Sequence, residues 1–305
     1  MTRRVVAQRP GGPEVLLIED HDTGSPGPGE VRVAVRAAAV NPLDLKERAG
    51  LRQVSWPHPL GQEAAGVVTE VGPDAVYAVG DEVVVYPAPG AYAEELVVPG
   101  DDVFSKPASL SWEEAAGLLL VGVTSVHALE WVRVAAADVV LVHGAAGGVG
   151  QVLVQLAVAR GARVVGTASP RNFDLLRSLG AEPVAYGDGL ADQVRAIATP
   201  TAAIDLVGTA EAIEVSLALV ADRDRVTTIV GGPAAEAAGV GKIGGANSID
   251  LGLEVRAAAR AGLVAAAGRG DLRVPVARTF PLAEAAEAHR LVGAGHADGK
   301  VVLIP

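Results

Sequence analysis

Residues 139–161 carry the strongest chemical signal in the chain. The apolar run Val139-Val140-Leu141-Val142-His143 leads into Gly144-Ala145-Ala146-Gly147-Gly148-Val149-Gly150, and an apolar stretch through Arg160 is closed by Gly161. This order reads as strand, tight turn and helix, with a second strand over 163–167. Gly144, Gly147 and Gly150 stand in a G-x-x-G-x-x-G spacing, with Ala145 where a stricter G-x-G-x-x-G pattern would begin. A pyrophosphate lying against the N–H groups of a helix's first turn needs such a turn, because a side chain would hold it off while the helix dipole favours an anion. The backbone of Gly144, Ala145, Gly147, Gly148, Val149 and Gly150 is the candidate cradle for a dinucleotide.

The tip of the second strand bears on which dinucleotide. A site selective for NAD places an acid on the ribose 2′-hydroxyl about 20 residues past the glycines. Here the chain reads Thr167-Ala168-Ser169-Pro170-Arg171, with no acid. Ser169 can donate to a 2′-phosphate and Arg171 can pair with its charge, so NADPH is expected over NADH. Ligands of open parallel sheets bind at the carboxy edge of the strands. Val230 and Gly231, at the end of the fifth expected strand, would there present backbone to the nicotinamide.

These residues need a scaffold, and the composition bounds it. The chain has 305 residues, 50% of them hydrophobic, enough for two domains with their own cores. Aromatics make up only 3%, so Ala, Val and Leu must fill those cores. The net charge of −11 argues against a nucleic-acid or anionic membrane partner. No cysteine is present, which removes disulfides, thiolate nucleophiles and cysteine-ligated zinc and fits a reducing cytoplasm. The first ten residues include basic side chains but no apolar core of signal-peptide length, and no apolar run is long enough for a membrane span. The expectation is a cytoplasmic protein.

Residues 1–120 read as β-rich. Strands are expected over 3–7, 14–19, 30–39, 64–71, 82–86 and 91–98, punctuated by Gly/Pro turns, with a short helix over 41–50. Ser111-Trp112-Glu113-Glu114 is a capping box that opens a helix to about 120, and a second helix covers 125–131. From 138, strands over 139–143, 163–167, 183–186, 203–207 and 226–230 alternate with helices near 149–160, 171–179, 189–198 and 211–220. That alternation implies a doubly wound parallel sheet. Residues 232–247 are Gly/Ala-rich and poorly defined. A helix over 251–267, a strand over 274–280, a helix over 282–292 and a strand over 300–304 complete the chain.

With these stretches in view, the chain resembles the medium-chain dehydrogenase/reductase superfamily, in its zinc-free quinone oxidoreductase branch. The likeness rests on Ala38-Ala39-Val40-Asn41-Pro42-Leu43-Asp44, on Gly61-Gln62-Glu63-Ala64-Ala65-Gly66, on Val79-Gly80-Asp81, on Gly122-Val123-Thr124, on His143 to Gly150 and on the ending Gly299-Lys300-Val301-Val302-Leu303. It implies an α/β chain in which a β-rich GroES-like catalytic domain, 1–120 and 268–305, is split around a Rossmann domain, 121–267. It also implies that Thr124 lines the nicotinamide and phosphate region, that Tyr186 lies near the adenosine phosphate, that Lys300 contacts the cofactor, and that the protein is a homodimer.

The positions that hold catalytic zinc in metal-dependent relatives correspond here to Asn41 and Gln62. Carboxamides are poor zinc ligands, and an open catalytic site needs three good donors. The six histidines, His21, His58, His127, His143, His289 and His296, show no ligand spacing. Without a Lewis acid the acceptor must take a hydride unaided, which points to a quinone or an activated conjugated alkene. Asn41 is the candidate donor to the oxyanion that develops on the substrate, and Gln62 can hydrogen-bond in the cleft. Lys46 is either the proton source or an exposed helix lysine paired with a carboxylate. Asp44 is its partner or a helix cap. The alternative activities are an enoyl or enone reductase of secondary metabolism and an NADPH-binding sensor or structural protein without turnover.

Overall fold

The computed structural model describes residues 1–244, 248–295 and 297–305. His296 lies outside the described residues, as does part of the 232–247 stretch. The chain divides into two compact units, Met1–Leu120 with Ala261–Pro305, and Val121–Arg260. The second crossing thus falls within the helix Leu253–Gly268.

The first unit is built on a mixed sheet. Its order is Val276–Pro281, Lys300–Ile304, Glu30–Val40, Ala64–Val71, Glu82–Val85 and Val103–Ser105, and Glu95–Pro99 also pairs with Glu30–Val40. A smaller sheet joins Leu16–His21, Thr2–Ala7 and His58–Pro59. Glu30–Val40 shows why one strand can serve two surroundings. Val31, Val33 and Val35 alternate inward, and the strand then runs through four consecutive buried residues, Ala37 to Val40. The core is mostly Val, Ala and Leu, with Tyr92 the largest of its fully buried side chains.

The second unit carries a five-stranded sheet in the order Ala181–Ala185, Arg163–Ala168, Val139–His143, Ala202–Asp205, Val226–Thr228, with every pairing parallel. Val140, Leu141 and Val142 are all buried, as expected of a strand covered on both faces. The order reverses beside Val139–His143, where an open α/β sheet forms its ligand crevice.

Several elements differ from the sequence reading. Pro13–Val15 forms a 3₁₀ turn ahead of the strand Leu16–His21, and the strand expected from 91 begins at Glu95. The capping-box helix stops at Ala116 with Gly117 as its cap, and one helix then runs Leu119–Trp131. Thr124 therefore sits inside a helix. The fifth strand ends at Thr228, not at 230. The Gly/Ala-rich segment contains the helix Pro233–Ala238, started by Pro at its first position and stopped by Gly239 at φ +68°. Among the described residues no helix is long and apolar enough to cross a membrane.

Candidate functional site

The glycine turn is fixed by backbone contacts in the second unit. Gly144 leaves the strand at φ +75°, and a Cβ there would stand 2.6 Å from Val207 Cγ1. Its N–H donates to Thr167 Oγ1 at 3.1 Å, and Ala145 N–H donates to the Thr167 carbonyl at 3.0 Å. Gly166 lets the strand Arg163–Ala168 pass the turn, since a Cβ there would meet Ala145 Cβ at 2.8 Å. The helix Gly148–Ala159 starts from exposed Gly147. Its first-turn N–H groups have no acceptor within the helix. A Cβ on Gly150 would fall 2.4 Å from the Gly144 carbonyl oxygen and 2.6 Å from that of Ala145, whereas one on Gly147 meets only Gly144 oxygen at 3.4 Å.

This contrast separates folding from binding. Gly150→Ala should lower unfolding stability by about 1–3 kcal/mol, because backbone must move to admit the methyl group. Gly147→Ala should leave stability within about 0.5 kcal/mol yet put a methyl group where an anion would approach. Denaturant titration of both variants, with dinucleotide titration of Gly147→Ala, reads the two effects.

His143 is committed to structure. Ser216 donates its hydroxyl to the Ala212 carbonyl, so it accepts from His143 Nε2–H at 3.1 Å. Burial brings His143 down to about 4, which keeps the ring neutral. Ser169 and Arg171 follow the strand Arg163–Ala168, with Ser169 half-buried and Arg171 exposed on the 3₁₀ turn Pro170–Asn172. Ala168 is the register partner of Ala185, so this turn and Tyr186, which is 61% exposed, leave the sheet from neighbouring strands at its carboxy edge. Val230 and Gly231 lie in the turn after the fifth strand, and both their N–H groups donate to Thr228 Oγ1 at 3.1 Å. Thr124 is buried in Leu119–Trp131.

The first unit holds the other candidates. Asn41 precedes the helix Pro42–Arg48 and is buried. Its Oδ1 accepts from Lys300 Nζ at 2.5 Å, while Nδ2 donates to Glu63 Oε1 at 3.1 Å and to the Ala39 carbonyl at 3.3 Å. Lys300 Nζ also donates to Glu63 Oε1 at 3.0 Å, and Glu63 Oε2 accepts from Leu120 N–H at 2.8 Å. Glu63 stands in the sequence without a role of its own, although a Glu inside a small apolar stretch needs a partner once buried. Gln62 Nε2 donates to Glu47 Oε2 at 2.9 Å, which also lies 3.4 Å from His58 Nε2. Lys46 is half-buried on the helix Pro42–Arg48.

Asp44 acts as a cap. Its Oδ2 accepts from Asn41 N–H and from Tyr92 OH, each at 2.8 Å. Its Oδ1 is buried with no hydrogen-bond partner. Burial raises the carboxyl to about 7 against the two donated hydrogen bonds, and nearby Glu47 adds to the rise. Tyr92 in turn stands 3.3 Å from His289 Nε2, and Arg48 Nη1 stands 3.1 Å from His289 Nδ1. The arginine only donates and Tyr92 donates to Asp44, so His289 is the neutral Nε2–H tautomer.

Residues 27–108 match the alcohol dehydrogenase GroES-like domain and residues 179–303 the zinc-binding dehydrogenase domain. The chain is 34% identical to a 2-haloacrylate reductase of a Burkholderia species over 344 residues, covering 100% of this chain and 99% of the relative. It is 33% identical to a quinone oxidoreductase of Pseudomonas aeruginosa over 330 residues, covering all of both. The chain belongs to the medium-chain dehydrogenase/reductase superfamily, in its quinone oxidoreductase branch. The solved Escherichia coli quinone oxidoreductase complexed with NADPH superposes with a TM-score of 0.88 at 28% identity, covering 99% of this chain and 100% of that one. Like these members of the superfamily, the protein is an oxidoreductase.

Despite the name of the second matched domain, the residues at hand do not fit a zinc site. Asn41 and Gln62 are both hydrogen-bonded carboxamides, and no group of three His, Cys, Asp or Glu arranged to hold a metal occurs among the described residues.

Proposed function

We propose that this quinone oxidoreductase-branch protein binds NADPH along the carboxy edge of the parallel sheet in its second unit and reduces a quinone or a similarly electrophilic conjugated carbonyl without a metal ion. The observation that carries the reading is the cradle itself. The first turn of Gly148–Ala159 offers backbone donors, Gly147 N–H being taken by the Gly144 carbonyl at 3.1 Å, and Ser169 and Arg171 leave the adjacent strand with no carboxylate at its tip. The NADPH complex of the Escherichia coli relative supports the same choice, and the 2-haloacrylate and quinone reductases support an activated acceptor.

When bound, NADPH supplies the hydride. The chain's own residues bind and orient. The helix N-terminus holds the pyrophosphate, Ser169 and Arg171 the 2′-phosphate, and Tyr186 borders the adenosine end. Thr124 and the turns at 207–208 and 230–231 serve the nicotinamide end.

On the substrate side, Lys300 donates to Asn41 Oδ1 and so polarises the carboxamide, making its Nδ2 hydrogens better donors. One of them reaches Ala39 oxygen only at 3.3 Å, a long bond that a developing oxyanion can outcompete. Gln62 is held by Glu47, and Lys46 or water delivers the proton. A homodimer in the cytoplasm belongs to the same proposal. The cysteine-free chain suits a reducing compartment, and Ile249, Leu251 and Leu253 expose apolar side chains on the second unit.

The test is the loss of nicotinamide absorbance in stopped flow, with a benzoquinone, an enone and an enoyl thioester offered in turn. NADPH should be oxidised with the quinone, with NADH at least about tenfold poorer in kcat/KM. Arg171→Glu should raise KM for NADPH by about tenfold or more while leaving that for NADH nearly unchanged, since a charge-assisted phosphate contact becomes a repulsion. No oxidation with any acceptor would end the enzymatic reading.

A further inference from the structure

The carboxy edge of the second unit's sheet contains a buried polar relay with no counterpart in the expected site. Asp205 ends the strand Ala202–Asp205 and is fully buried. Its Oδ1 accepts from Val207 N–H and Gly208 N–H, each at 2.9 Å. Its Oδ2 accepts from Thr228 Oγ1 at 2.7 Å and from Gly208 N–H at 3.1 Å. A carboxylate only accepts, so the single hydroxyl hydrogen of Thr228 must point at Asp205. Both lone pairs of Oγ1 are then turned toward Val230 N–H and Gly231 N–H, where the two 3.1 Å contacts lie. One charge thereby fixes the direction of one hydroxyl, and that hydroxyl fixes a turn.

The turns are also packed together. Gly208 and Gly231 take φ of +76° and +79°. A Cβ on Gly208 would meet Val230 Cγ1 at 2.7 Å, and one on Gly144 would meet Val207 Cγ1 at 2.6 Å. The dinucleotide turn, the 207–208 turn and the 230–231 turn therefore abut in sequence along one edge. With its two N–H groups turned inward, the 230–231 turn can offer a ligand carbonyl oxygens, which suit the –NH2 of a carboxamide.

We propose that Asp205 and Thr228 are positioning residues for the nicotinamide end of the dinucleotide, acting through the backbone of Val207–Gly208 and Val230–Gly231. This rests on the NADPH reading above. The test compares binding of NADPH with that of 2′,5′-ADP, which keeps the adenosine and 2′-phosphate and lacks the nicotinamide. Thr228→Val keeps the shape and removes the hydroxyl, Thr228→Ser keeps the hydroxyl, and Asp205→Asn frees the hydroxyl to reverse. Thr228→Val should weaken NADPH by about tenfold, the scale set by leaving one buried and one part-buried N–H group without an acceptor, and leave 2′,5′-ADP within about twofold of wild type. Thr228→Ser should restore NADPH binding, and Asp205→Asn should fall between. Equal weakening of both ligands, or weakening of neither, overturns the inference while the NADPH reading stands. Failure of wild type to bind either ligand overturns that reading and the inference with it.

Discussion

Lys300→Met should destabilise the protein by about 3–5 kcal/mol, and by calorimetry lower its melting temperature by roughly 10 °C. The side chains of Lys300 and Glu63 are 4% and 1% exposed and lie 3.0 Å apart. Removing the ammonium leaves a carboxylate in a place water does not reach, together with an Asn41 carbonyl that has lost its donor. Glu63 cannot turn away, because Oε2 is held by Leu120 N–H in the first turn of Leu119–Trp131, where the helix dipole also favours its charge. Glu63→Gln should be costly for the opposite reason, a buried ammonium facing an amide. The double variant Lys300→Met with Glu63→Gln removes both charges and should recover at least half of the single loss. Single losses below about 1 kcal/mol would show that the pair is screened as a surface pair is.

That pair shows where sequence reading stops. Lys300 and Glu63 are separated by 237 positions, and no local pattern announces that they meet. Lys300 carries an expectation of cofactor contact from its motif, yet its ammonium is directed at Glu63 and Asn41. The glycine turn was legible because backbone sterics alone dictate it. Gly144 needs its positive φ, and Gly150 has carbonyl oxygens where a Cβ would be.

The fifth strand stops at Thr228, two residues short of the expected Val230, for a specific reason. Ile229 and Val230 extend a β-branched run, but Thr228 Oγ1 takes the N–H groups of Val230 and Gly231 and ends the ladder. Local propensity could not see that a buried Asp205 had already fixed which way the hydroxyl points. Thr124 tells the same story in a helix. The capping box forms at Ser111, but Gly117 ends that helix early, and the next begins at Leu119, ahead of the expected 125. For Asp44 the sequence allows a lysine partner or a helix cap, and the tertiary contact with Tyr92 makes it a buried cap.

Asp44 gives the second large effect. Its carboxyl is raised from an ordinary 3.8 to about 7 by burial, with Glu47 adding to the rise and Lys300 and the Tyr92 hydroxyl opposing it. Below about pH 4 folded and unfolded chains both hold the proton, and its stabilising contribution is complete. As pH rises toward 7 the unfolded chain releases the proton while the folded one keeps it. Stability therefore falls by about 1.4 kcal/mol per pH unit across that window. Two histidines run the other way. Burial holds His143 at about 4 and His289 at about 3, both below the ordinary 6.5, so the unfolded chain gains protons first as pH falls and the fold weakens toward acid. Between pH 4 and 6.5 these contributions oppose one another, and the wild-type profile alone hides the carboxyl. Asp44→Asn keeps an acceptor for Asn41 N–H and Tyr92 OH and removes the titration; its amide nitrogen takes the partnerless place of Oδ1, at a cost that does not change with pH. Its stability relative to wild type should rise by about 3 kcal/mol between pH 5 and pH 8, read from denaturant midpoints at both values. A difference that stays flat across that interval would place the Asp44 carboxyl back in the ordinary range, where its two donated hydrogen bonds outweigh its burial.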